Sequence, residues 1–140
     1  MVGLGPGSRS YTKALHYSSE WAVGQSGVKS IIADYVTRTA KDFSVADYGA
    51  ILDLEEQRRR YVIKSLLRVD GLDLLAYAAE FGTDVMEDFP CLQELIQLDA
   101  VSFDGLVLKP SSRGLEWSDV IGPWLFSPAT HERMEAFDLS

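Results

Sequence analysis

The clearest hydrophobic pattern in the chain is a stripe at helical spacing near its middle. Asp53 can cap the start of this helix, with Glu56 three residues later as in a capping box, and Gly71 follows as a stop. The pattern therefore predicts a helix between Asp53 and Gly71 with a buried face. That face consists of Val62, Ile63, Leu66 and Leu67.

Two further helices are predicted directly after the first. Asp73 can start a short helix that ends at Phe81-Gly82. A third helical stretch begins at about Thr83, and Pro90 is acceptable only in the first turn of its main part. The inner side of this stretch is formed by Leu92, Leu95 and Ile96.

A β-hairpin is predicted next. The segments 101–103 and 106–108 are rich in β-branched and other apolar residues and flank Asp104-Gly105. Because this dipeptide tolerates positive φ angles, it predicts a two-residue type I′ turn.

The end of the chain predicts two more helices. Ser111 or Ser112 can cap a fourth helix, which Gly122-Pro123 should end or kink. Ser127-Pro128 is typical of a cap and first position of a last short helix. The predicted fold class is α+β, mainly helical. Residues 53–140 are expected to be a winged-helix-like accessory domain of three helices, a β-hairpin and a closing helix.

The first part of the chain is interpreted as the edge of a larger sheet or barrel. Residues 1–11 are expected to carry the end of a buried strand that runs into a Gly-rich loop, and a domain starting there would leave an unpaired strand edge. Ser26 can cap a helix with an apolar face. Residues 1–36 are therefore expected to be a truncated edge, and residues 37–52 a linker. The apolar face consists of Val28, Ile31, Ile32, Tyr35 and Val36.

Charge and composition narrow the function classes. The net charge is −8, and the segment between Arg68 and Lys109 contains acidic but no basic residues, which argues against nucleic acid as a partner. No apolar run reaches the roughly 18 residues of a membrane span. Neither a membrane nor nucleic acid is expected as a partner, and the single Cys91 is typical of a reducing, cytoplasmic compartment.

The loop at the start of the chain is the best candidate for a ligand site. Gly3, Gly5 and Gly7 allow backbone N–H groups to approach a carboxylate or phosphate closely, while Ser8 and Arg9 add directional donors. The spacing differs from a dinucleotide-binding fingerprint. A tight turn without a ligand is an equally good interpretation of these residues alone.

Three segments together resemble the C-terminal third of oxygen-independent coproporphyrinogen III oxidases, which are radical S-adenosylmethionine enzymes of haem biosynthesis. They are residues 56–67, residues 3–11, and Leu106–Leu108 followed by Gly114–Asp119. The resemblance implies that residues 1–36 are the C-terminal edge of a radical S-adenosylmethionine barrel. It also implies that the Gly-rich loop lies near the cofactor, and that the winged-helix-like domain covers a tetrapyrrole-like substrate.

The resemblance further implies oxidative decarboxylation of porphyrinogen propionates with S-adenosylmethionine and a [4Fe–4S] cluster. Family members hold the cluster on a Cys-x3-Cys-x2-Cys run, whereas Cys91 is the only cysteine here. This chain alone is therefore expected to be inactive and to need the missing barrel, in cis or in trans. We expect no metal site and no catalytic residue in it.

Three alternatives stay open from the sequence. Lys109-Pro110-Ser111, Pro6 and Arg9 depart from the family pattern and favour a paralogue that acts on another substrate or in haem trafficking. A stand-alone acidic winged-helix module that binds another protein is the alternative from a different class. The third concerns Arg58–Arg60, which either contact substrate propionates or form a solvated band beside Glu55 and Glu56; the solvated band is favoured.

Overall fold

The computed structural model describes residues 1–19, 24–46 and 48–136. Within these ranges the protein has eight helices and two small antiparallel sheets, so the predicted α+β class is confirmed. Contacts divide the chain into two units, residues 1–57 and residues 58–137. None of the helices in the described ranges has the length and apolar character needed to cross a bilayer.

The first unit is built on a three-stranded antiparallel sheet with the order β1-β2-β3. Strand β1 spans Arg9–Tyr11, β2 spans Leu15–Ser18 and β3 spans Tyr48–Ile51. No strand forms ahead of the Gly-rich loop, because the positive φ angles of Gly5 and Gly7 turn the chain before β1 begins. The strand predicted before the loop is thus wrong in position.

The segment expected to be a linker contains regular structure in its described residues, 37–46 and 48–52. It holds a 3-10 turn at Asp42–Ser44 and strand β3, which pairs with β2 along its whole length. Residues 48–51 are therefore part of the sheet, and the segment 37–52 does more than connect two parts.

Helix α1 spans Gln25–Thr37, and Gly24 at the N-cap position has no side chain that could cap it. The prediction of Ser26 as the cap is wrong, because Ser26 lies inside the helix. The predicted apolar face exists, yet no residue of α1 is buried. Val28, Ile32 and Val36 are exposed.

Helix α2 spans Leu54–Leu66, and its predicted start is confirmed. The Asp53 carboxylate accepts a hydrogen bond from the Glu56 N–H at 2.8 Å. Val62 and Leu66 are fully buried, which confirms the predicted stripe. The helix ends at Leu66, and a turn leads to Gly71 at a φ of 81°.

Helix α3 spans Leu74–Phe81 and confirms both of its predicted ends. Asp73 caps it by accepting from the Ala76 N–H at 2.9 Å, and Gly82 ends it at a φ of 75°. The third predicted stretch is two helices, α4 at Val85–Asp88 and α5 at Leu92–Gln97. The break falls at Phe89-Pro90, because proline has no N–H and disfavours helical geometry in the preceding residue.

The predicted hairpin forms with a different turn. Strand β5 spans Val101–Phe103 and β6 spans Val107–Pro110, and Phe103 pairs with Leu108. The loop is thus longer than a type I′ turn allows. Its geometry comes from the Asp104 carboxylate, which accepts from the N–H groups of Leu106 at 2.9 Å and Val107 at 2.8 Å.

A third strand completes this sheet. Strand β4 at Leu72–Asp73 pairs with β6, which gives the order β4-β6-β5. Strand β4 could not be predicted from the sequence, because two residues are too few to show an alternating pattern.

The fourth predicted helix is also split in two. Helix α6 spans Ser112–Glu116, and α7 spans Ser118–Trp124. Ser111 caps α6 by accepting from the Gly114 N–H at 3.0 Å. Gly114 lies against the Ala100 carbonyl, where a Cβ would overlap the oxygen.

Helix α8 spans Pro128–Glu135, and Ser127 caps it as predicted. The order of helices and hairpin agrees with the one predicted, whereas the winged-helix assignment itself stays a prediction. The last four residues of the predicted domain 53–140 lie outside the described part of the chain.

The apolar core of the described residues lies in the second unit. Its largest fully buried side chains come from α2, β4, α3, α4, α5, β6 and the end of α7. In the first unit no described apolar residue is buried to the same degree. The largest fully buried side chains of the second unit are Tyr77, Leu66, Leu72, Leu92, Leu108, Leu125, Val62 and Val85.

A polar joint connects α2, α3 and α4 inside this core. The Asp88 carboxylate accepts from the hydroxyls of Tyr77 and Thr83, both at 2.6 Å, and lies 3.5 Å from the Arg58 guanidinium. Burial has the largest single effect on the pKa of Asp88 and raises it, because burial disfavours the charged carboxylate. The hydrogen bonds from Thr83 and Tyr77 and the Arg58 charge outweigh it and hold the Asp88 pKa below its ordinary value. Burial, followed by the bond to Asp88, raises the pKa of Tyr77.

Stability should be uneven between the two units. We expect Leu66→Ala to lower the free energy of unfolding by about 2–5 kcal/mol, because Leu66 is fully buried and leaves a cavity. Ile32→Ala in the exposed α1 should cost clearly less. Denaturant titration measures both, and Val69→Ala, at an exposed position, is the matched control. Equal costs for Leu66→Ala and Ile32→Ala would contradict this expectation.

Amide hydrogen exchange should show the same contrast. We expect slow exchange in residues 54–69 and 92–98, and faster exchange in residues 1–19 and 24–36. Equal protection of these segments would show that the first unit is as stable as the second.

The polar joint predicts a dependence on pH. Because the folded-state pKa of Asp88 is depressed, its stabilisation is complete above the unfolded-state value of about 4 and is lost as the pH falls through the folded-state pKa. Asp88→Asn should cost about 1–3 kcal/mol at neutral pH, and less in acid. Urea unfolding at several pH values measures this. Asp70→Asn, whose carboxylate is 84% exposed, is the control that should change little.

Candidate functional site

The first unit contains a cavity of about 340 Å³. The Gly-rich loop, strand β2 and the start of the 3-10 turn contribute to its walls, together with Tyr35 of α1 and Arg38 directly after this helix. The volume lies at the lower end of the roughly 300–1,000 Å³ that small-molecule sites occupy. Its lining residues include Gly3, Gly5, Ser8, Ser10, Tyr35 and Arg38.

Ser10 holds the Gly-rich loop in place. Ser10 is only 3% exposed, and its Oγ accepts a hydrogen bond from the Gly3 N–H at 3.0 Å. A Cβ on Gly3 would lie 2.6 Å from the Arg9 carbonyl oxygen, so the close approach requires glycine at this position. Further along the loop, the Ser8 N–H donates to the Gly5 carbonyl at 3.2 Å.

The opposite wall combines aromatic rings with charged groups. Tyr35 and Phe43 meet edge to face, with ring centroids 5.3 Å apart. The Arg38 guanidinium forms an ion pair with Asp34 at 2.9 Å. The Asp42 carboxylate accepts from the Thr39 N–H at 2.7 Å and from its hydroxyl at 2.8 Å, and these bonds lower the pKa of Asp42.

The electrostatics of this wall favour some ligands over others. The charged residues that line the cavity are Arg38 and Asp42, so their side-chain charges sum to zero. A phosphate-rich ligand would meet no net positive field here. The combination of rings, hydroxyls and backbone groups suits a small, partly aromatic molecule without a large net charge.

The predicted loop residues are placed differently with respect to this cavity. Gly3, Gly5 and Ser8 line it, whereas Gly7 and Arg9 are not among its lining residues. The residues of the opposite wall were not predicted from the sequence. No local signal could have found Tyr35, Arg38 or Asp42, because folding brings them to the loop from more than 20 positions away.

Two arginines of the cluster on α2, Arg58 and Arg59, have partners within the second unit. Arg58 pairs with Asp88. Arg59 donates to the Leu125 carbonyl at 2.9 Å and lies 5.2 Å from the centre of the Phe89 ring. The Nε atoms of both are closed off from solvent. The expectation of a solvated band is therefore wrong for Arg58 and Arg59, because their partners lie 30 or more positions away in sequence.

The chain does not fit the iron–sulfur cluster of the resembled enzymes. Cys91 is half-buried, and burial raises the pKa of its thiol, which disfavours the thiolate that metal ligation needs. In residues 1–19, 24–46 and 48–136, no three His, Cys, Asp or Glu side chains are grouped so that they could hold a metal ion. A cluster of this type requires several converging thiolates.

Comparison with known proteins gives one match. Residues 52–117 match the family model of the HemN C-terminal domain, and this segment begins at the cap of α2 and ends after α6. No curated protein matches the chain, and no solved structure matches it. The resemblance found in the sequence is thereby confirmed for residues 52–117, which match the C-terminal domain of oxygen-independent coproporphyrinogen III oxidase-like proteins.

Proposed function

We propose that this chain forms the C-terminal, substrate-covering part of a radical S-adenosylmethionine protein similar to coproporphyrinogen III oxidase. The match of residues 52–117 to the HemN C-terminal domain carries this proposal. The proposed reaction is oxidative decarboxylation of porphyrinogen propionates in the cytoplasm. A paralogue with another tetrapyrrole-like substrate, or one that acts in haem trafficking, would use the same domain.

The proposed partner is a radical S-adenosylmethionine barrel, either in the same polypeptide or in a second one. The cluster would supply the 5′-deoxyadenosyl radical, and its ligands must come from this partner because the chain has one cysteine. The exposed apolar face of α1 supports the proposal. Exposed apolar surface of this kind is typical of an interface.

The cavity of the first unit is the proposed site for part of the cofactor. Gly3, Gly5 and Ser8 line it, and its lining has no net positive charge that would favour a phosphate. The chain's own role would be to orient the bound molecule through loop N–H groups and serine hydroxyls. Gly7 and Arg9, the remaining predicted cofactor-binding residues, would shape the loop from outside the cavity.

The proposed division of labour predicts that this chain alone cannot assemble a cluster. Anaerobic reconstitution with iron and sulfide should give no cluster absorbance and no 5′-deoxyadenosine. Sequencing the transcript upstream of Met1, and neighbouring reading frames, should reveal a Cys-x3-Cys-x2-Cys barrel. A cluster on the isolated chain would overturn the proposal, and so would the absence of any such barrel from the genome.

The cofactor site predicts selective binding to the cavity. Titration with S-adenosylmethionine should shift the amide NMR signals of Gly3, Gly5 and Ser10. Ser10→Val removes the acceptor that fixes the loop, so the affinity should fall on the order of tenfold, which corresponds to about 1.4 kcal/mol. Ser26→Ala, on an exposed turn of α1, is the matched control. Unchanged signals in the loop at saturating ligand would contradict this assignment.

A further inference from the structure

The hairpin end of the second unit presents three exposed apolar residues. Leu75 is 64% exposed, Leu106 is 53% exposed and Phe103 is 42% exposed. The Leu74 N–H donates to the Leu106 carbonyl at 2.9 Å, which places the first turn of α3 beside the hairpin loop. We call Leu75, Phe103 and Leu106 the apolar wing tip.

Two carboxylates border the apolar wing tip. Asp104 lies between Phe103 and Leu106 in the loop, and Asp73, which pairs with Val107, lies next to Leu74. The backbone N–H groups of Leu106 and Val107 lower the pKa of Asp104, so it is ionised at neutral pH. The nearest basic residue in sequence is Lys109, and from Val69 to Leu108 the chain has none.

This charge decides between the candidate occupants. Anionic lipid and nucleic acid would be repelled by the carboxylates. A second copy of the chain, with its net charge of −8, would bring the same carboxylates against themselves in a two-fold contact. A segment with apolar residues flanked by Lys or Arg complements both the apolar surface and its border.

We propose that the apolar wing tip is a docking surface for a basic, amphipathic segment of another protein. Apolar side chains of the partner cover Leu75, Phe103 and Leu106, and its cations face Asp73 and Asp104. The charges raise the rate of association, while burial of the three apolar side chains supplies most of the affinity. This surface lies in the second unit and is independent of the cavity proposed for the cofactor.

Fluorescence anisotropy with a labelled Leu/Lys amphipathic peptide tests the proposal on the full chain. Leu106→Ser and, separately, Leu75→Ser should each weaken binding by about tenfold, within the range expected for truncating a central contact. The matched controls are Leu115→Ser and Val120→Ser, which are 59% and 66% exposed and lie outside the wing tip. These two control variants should bind the peptide with the same affinity as the unchanged protein. Circular dichroism confirms that each variant is folded.

A variant that removes one charge tests the contribution of the carboxylates separately from that of the apolar side chains. Asp104→Asn keeps an acceptor for the loop N–H groups and removes the charge, so binding should weaken severalfold at low salt and depend less on salt. A Leu/Glu peptide should not bind. An equal loss of affinity for the Leu/Lys peptide in the wing-tip variants and the control variants would overturn the proposal. So would binding to anionic vesicles instead of the peptide, or a dimer that sedimentation shows to dissociate in Leu106→Ser.

Discussion

The second unit depends on the carboxylate of Asp88. Tyr77 is a fully buried residue whose ring contacts Tyr61 of α2, and a buried hydroxyl without a partner would destabilise the core. Asp88 provides that partner and also satisfies Thr83, and Arg58 compensates its charge. One short helix, α4, is thereby fixed to both α2 and α3. The apolar side chains of Tyr61 and Phe81 then pack against the Tyr77 ring.

The features that could be predicted from sequence are the local ones. Asp53, Asp73 and Ser127 cap their helices because a cap needs only a side-chain acceptor two or three residues from a free N–H. The buried stripe of α2 follows from spacing alone. These signals depend only on residues close in sequence, so the predictions based on them hold in the folded protein.

The features that could not be predicted depend on distant partners. Strands β3 and β4 exist only because β2 and β6 pair with them, and the hairpin register follows the Asp104 side chain instead of the dipeptide preference. Arg58 and Arg59 look like surface cations in sequence, yet Asp88 and Leu125 hold them inside. The same holds for the candidate site, where the loop was visible in sequence but its opposite wall was not.

The location of the cavity has an energetic consequence. It lies in the unit where no described apolar residue is fully buried, so the loop and α1 have little core to stabilise them. A ligand that binds only the folded form adds stability in proportion to the logarithm of its concentration over the dissociation constant. The same ligand therefore changes the order of the first unit more than that of the second, whose core is complete without it. Under the proposed function, coupling of this kind would make the loop well formed when cofactor or barrel is bound.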